Sequence, residues 1–147
     1  MFRHVGASYG AATRPPVKAG TFRLYRAVKE MHEVENMSDL ASDFLRVEFK
    51  TEPLEAVLLR GRFARDPKVT ENRKVEFENA QLRISRLAQG AAGGSTVPPT
   101  LPYPSLFVDT MSGAVRWFSA DEGTTLADPS FSAADVLQFE FKTAPQR

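Results

Sequence analysis

The chain has no cysteine, two histidines, and no apolar run near the ~18 residues that a membrane span requires. Without cysteine there can be no disulfide, thiolate zinc site, iron–sulfur ligation or cysteine nucleophile, and the chain suits a reducing compartment. His4 and His32 fall in different segments and lack the acidic spacing of a metal site, so His32 reads as a packing residue. Gly90–Ser95 is glycine-rich but lacks the lysine of a phosphate loop, which leaves it a linker. No nucleophile elbow or paired histidine is present, and the sequence offers no case for an enzyme.

What is present suits one modest domain with extensions: 147 residues, 42% apolar and 25% charged, with a formal net charge of +1. That balance argues against nucleic acid as the partner of the whole chain. Charge is uneven, however. Arg3, Arg14, Lys18, Arg23, Arg26 and Lys29 precede the first acid, Glu30. An arginine-bearing, acid-free start has the composition of a mitochondrial targeting segment, or of a basic arm lying on an acidic neighbour or RNA.

Residues 1–20 carry Gly6, Gly10, Pro15, Pro16 and Gly20, which predict an extended arm rather than a stable element. Thr21 is placed to cap a first helix over about Phe22–Glu35, with Leu24, Tyr25, Val28, Met31 and His32 at spacings of three and four. Ser38 and Asp39 open a second helix, on which Leu40, Phe44 and Val47 form one row and Ala41, Leu45 and Phe49 the next. That stripe is wide enough for contact on two sides. Pro53 permits a short third helix carrying Leu54, Val57, Leu58 and Phe63, which the Asp66-Pro67 pair breaks. Thr70 then opens a helix to about Gln89, with Phe77, Ala80, Ile84 and Leu87 aligned and Gly90 beyond its end. The expected fold is therefore mainly α. It comprises an arm (1–20), an antiparallel helical bundle (21–90), a Gly/Pro linker (91–104) and a β-rich docking tail (105–147).

In the tail, Ser105–Asp109 and Ala114–Phe118 flank Thr110-Met111-Ser112-Gly113, which signals a hairpin. Leu137, Phe139 and Phe141 alternate with Gln138, Glu140 and Lys142, the period of a half-buried strand; a short helix from Ser132 competes with it. An isolated hairpin is marginal, so Phe107, Trp117, Phe118 and Phe139 are expected to meet another protein or fold back on the helices.

One constellation remains: cations along oily helices. Arg26 and Lys29, then Arg46 and Lys50, run beside Tyr25, Phe44, Leu45 and Phe49. Leu24-Tyr25-Arg26 near a helix start, followed by Arg46-x-x-Phe49-Lys50, resembles the LYR-motif family of small mitochondrial three-helix proteins. Thr51-Glu52-Pro53, Leu58-Leu59 and Gly61 make it most similar to the family's member at the matrix arm of respiratory complex I. The resemblance covers about residues 21–63. The interval between the two motifs is slightly short, the Asp66-Pro67 break departs from the family's pattern, and the chain from Gly90 onward has no counterpart in it.

The resemblance implies a three-helix bundle and a partner, the mitochondrial acyl carrier protein, whose acidic helix would meet Arg26, Lys29, Arg46 and Lys50. The carrier's acyl-phosphopantetheine would then enter a channel lined by Leu24, Tyr25, Val28, Phe44, Leu45 and Phe49. No cofactor or metal is bound directly. Burying about a dozen methylenes at ~0.8 kcal/mol each would supply affinity, while exposed ion pairs at ~0.2–1 kcal/mol each would orient the carrier. The implied role is a non-catalytic accessory subunit of a large respiratory complex on the matrix side of the inner membrane, with no membrane span of its own. The alternatives are an LYR-type assembly factor for iron–sulfur or respiratory enzymes, and a mitochondrial ribosomal protein whose binding to RNA would fall steeply with salt.

Overall fold

The alternation at residues 137–141 forms a strand in the middle of a sheet. The computed structural model describes residues 1–7, 10–24, 31–49, 62–63, 69–70, 73–88, 100–123 and 135–142, in two compact units, Met1–Glu48 and Phe49–Arg147. The first holds β1 (Phe2–Gly6), β2 (Gly10–Arg14) and β3 (His32–Asn36). They form an antiparallel sheet in the order β2-β1-β3. The second holds β4 (Arg62–Phe63), β5 (Val69–Thr70), β6 (Arg73–Glu78), β7 (Leu82–Ala88), β8 (Ser105–Asp109), β9 (Val115–Phe118) and β10 (Asp135–Phe141). Its order is β4-β6-β7-β10-β8-β9, with β5 also on β6, and every pairing is antiparallel.

The expected helical bundle is not formed: the described residues contain no helix, and the fold is β. Each correction has a local cause. Residues 73–88, expected as one long helix, are a hairpin. Asn79 Oδ1 accepts from the amides of Gln81 (2.9 Å) and Leu82 (2.8 Å), while Asn79 N–H donates to Leu82 O. An asparagine whose side chain mimics a backbone turn breaks a helix. The flanking Val75, Phe77 and Ile84 favour a pleated surface. A bulge between Val75 and Phe77 then places Phe77 opposite Ile84.

Ser38 was expected to cap a helix. Instead, Asn36 Oδ1 accepts from both the Ser38 amide (3.1 Å) and the Ser38 hydroxyl (2.8 Å). Asn36 Nδ2 also donates to Leu40 O at 2.6 Å. The hydroxyl and a carbonyl needed by the first turn are thus both engaged, and 38–49 carries no regular element. Of the proposed first helix, 25–30 lie outside the described residues and His32–Asn36 is a strand. The third lies mostly outside them, and its end, Arg62–Phe63, is a strand. The arm is extended as expected but paired: Gly6 and Gly10 face each other across the β1–β2 register, with Gly10 at φ +70°.

The tail hairpin forms where the sequence places it. Asp109, fully buried, accepts at Oδ1 from the amides of Met111 (2.8 Å) and Ser112 (3.1 Å). Gly113 N–H donates to Asp109 O and Asp109 N–H to Ala114 O, both at 2.9 Å, with Gly113 at φ +74°. This is a glycine bulge closing the hairpin. The tail folds back on strands rather than helices. Phe107, Phe118, Leu87 and Val136 share one sheet face and pack with Leu101, which belongs to the segment expected as linker. Phe107 and Phe118 meet edge-to-face, centroids 5.5 Å apart. No helix among the described residues is long and apolar enough to cross a membrane.

Candidate functional site

The two faces of the larger sheet differ in chemistry. Residues directly opposite in the register share a face, so the core face carries Leu87, Val136 and Phe107, with Ser85, Gln138, Ser105, Arg83 and Glu140 further along. Glu140 is almost wholly buried; its carboxylate pairs with Arg73 from β6 and, at 3.5 Å, with Arg83 from β7. Arg73 Nε also donates to Ser85 Oγ at 3.1 Å. Burial works against the Arg83 charge, but its hydrogen bond to Glu78 and the field of Glu140 outweigh that and raise its pKa. A hydrogen bond from Lys142, joined by one from Arg83, holds the Glu78 carboxyl below the usual glutamate range. This network clips β6, β7 and β10 together. Every ion in it faces an opposite charge within the sheet, so it reads as structural. Among the described residues no group of three His, Cys, Asp or Glu could hold a metal.

The opposite face is apolar toward β9. Leu106 of β8 lies opposite both Trp117 of β9 and Phe139 of β10, and Val108 lies opposite Val115. Trp117 is 56% exposed and Val115 43%. The Trp117 indole meets the Phe141 ring at 5.4 Å, tilted by 37°, and Phe49 meets Phe141 edge-on at 5.5 Å. The result is a half-open aromatic row, Phe49–Phe141–Trp117, on an apolar bed of Leu106 and Phe139. Among these five described residues none has a carboxylate, hydroxyl or amide side chain, and the indole N–H is their one side-chain donor. Such a surface can exclude water from an apolar partner.

Of the residues singled out in the sequence, the structure describes Leu24, Phe44, Leu45, Arg46 and Phe49. Tyr25, Arg26, Val28, Lys29 and Lys50 lie outside the described residues. Leu24 is half-buried in the first unit. Phe44 and Leu45 are 71% and 54% exposed, on a segment that is not helical. Phe44 meets the Phe2 ring at 5.3 Å, and Arg46 pairs with Glu48 at 2.8 Å. Phe49 belongs to the second unit, in the aromatic row. A channel between helices has no counterpart among the described residues.

Sequence reasoning had placed Trp117 among aromatics in need of a partner, but it missed Phe141. The available signal was the alternation of 137–141, which puts Phe141 on the same side as Phe139. Comparison with known proteins finds no match, whether by family model, among curated proteins or among solved structures.

Proposed function

We propose that the chain is a non-catalytic protein-interaction module that docks a partner protein through the Phe49–Phe141–Trp117 row. The observation that carries this reading is the lone tryptophan, more than half exposed on a sheet in which Phe77, Phe107 and Phe118 are buried and Phe139 and Phe141 half-buried. Tryptophan and its aromatic neighbours are the residues that concentrate binding energy at protein interfaces, where truncation of an anchor costs ~2 kcal/mol or more. Cross-linking tests it: a photoreactive phenylalanine analogue at position 117 should form an adduct with a protein chain, identified by mass spectrometry. The same analogue at Met111, exposed on the hairpin turn, should not. Trp117→Ala should lower affinity for the captured partner by about 30-fold. Equal adducts at both positions, or an unchanged affinity, would remove the docking face.

A second reading, the acyl carrier partner, rests on Leu24-Tyr25-Arg26 and Arg46-x-x-Phe49-Lys50, and on one further observation: Phe44, Leu45 and Arg46 are exposed together. It retains the carrier and its matrix-side respiratory complex but drops the helical channel. Here the expected outcome is a phosphopantetheine-bearing protein in the intact mass spectrum of co-purified partners, lost on reversing the charge of Arg26 and Arg46 together. Retention after that reversal would eliminate the reading.

A further inference from the structure

The hydrogen bonding of β9 specifies what could lie beside it. In an antiparallel pair, successive residues point their N–H and C=O alternately toward and away from the partner strand. Asp109 N–H donates to Ala114 O, which fixes the phase of the β8–β9 ladder. Arg116 and Phe118, opposite Phe107 and Ser105, therefore turn their backbone groups toward β8. Val115 and Trp117 turn theirs outward, to the edge of the sheet. Among the described residues nothing pairs with that edge.

The strand has a defined end. The next outward amide, that of Ser119, donates to Glu122 Oε2 at 2.8 Å, and Ser119 O accepts the Glu122 amide at 3.4 Å. The open edge is thus two residues' worth of donors and acceptors. Among the described residues, the opposite margin of the sheet carries the two-residue strands β4 and β5.

Side chains add the specificity. Val115 and Trp117 stand on the aromatic face, whereas Arg116, exposed, stands on the other. We infer that β9 accepts an antiparallel extended segment of a partner protein with apolar residues at alternate positions, which adds a strand to the sheet. This rests on the docking reading above and names how the partner engages. Four backbone hydrogen bonds would form, two each with Val115 and Trp117. The partner's apolar residues would lie opposite those two side chains, continuing the aromatic row.

The probe is an acetylated, amidated heptapeptide, Ser-Thr-Val-Glu-Val-Thr-Ser, titrated into the 15N-labelled full chain. The Val115 and Trp117 amide signals should move downfield. N-methylation of the two valines should abolish binding. Val115→Pro removes one outward donor without touching the β8 ladder, so it should also abolish binding while the Asp109 amide stays in place. The N-methylated peptide gives the same answer with the protein unaltered. Shifts confined to the Trp117 indole and Phe141 ring would overturn strand addition but leave the docking face intact. No shift at any site, or edge shifts that grow with protein concentration in the absence of peptide, would overturn it as well.

Discussion

Phe107→Ala is expected to cost about 3–5 kcal/mol, the usual range for removing a fully buried phenyl ring. The ring touches Phe118 edge-on and belongs to the cluster of Leu87, Leu101, Phe118 and Val136, all of them buried. None of these is a flexible side chain able to refill the space, so the cavity should persist. Total stabilities run to only about 5–15 kcal/mol, so the loss would take a large share and lower the urea midpoint at unchanged slope. Trp117→Ala is the internal control. Its side chain is half in water, and its loss should move the midpoint far less while still removing the docking anchor. A Phe107→Ala midpoint within the error of wild type would mean that the cluster around Leu101 is not the core.

The second large effect is expected at Glu140. The carboxylate is 3% exposed and stands between Arg73 and Arg83, whose side chains are 27% and 29% exposed. Glu140→Gln leaves two half-buried guanidinium groups around a neutral amide. Removing one partner of a buried pair costs about 3–5 kcal/mol, and because both arginines can still draw on water, the low end, about 3 kcal/mol, is expected here. Arg73→Met should return part of that loss, because the double variant no longer strands that cation. The coupling read from a double-mutant cycle should be about 1 kcal/mol or more. Additive effects of the two substitutions would show that Arg73 and Glu140 do not communicate.

These residues also show where sequence reading stops. Arg73 and Glu140 are 67 positions apart, and no local pattern joins them. The hairpin over 105–118 was legible because its glycine bulge and alternation are local, and the strand at 135–141 because its period of two is short. The helices were misread for a definable reason. Phe77, Ile84 and Leu87 sit at separations that suit a helical stripe, but Phe77 and Ile84 face each other across a turn instead. Deciding between the two required knowing that Asn79 would turn its side chain onto the following amides. At Ser38 the neighbouring Asn36 decided the matter in the same way, against a capping signal read from Ser38 alone. The aromatic row was half legible: Trp117 stood out by type, but its juxtaposition with Phe49 and Phe141 is a product of tertiary structure.

The position of β10, between β7 and β8 though last of the described strands in the chain, has a consequence for how the protein is made. As the polypeptide leaves the ribosome, two separate β-ribbons emerge, each with a raw seam. β10 cannot join the two seams until it is translated and slides between them. Until then the nascent chain displays two sticky borders, and its assembly runs from the outside inward.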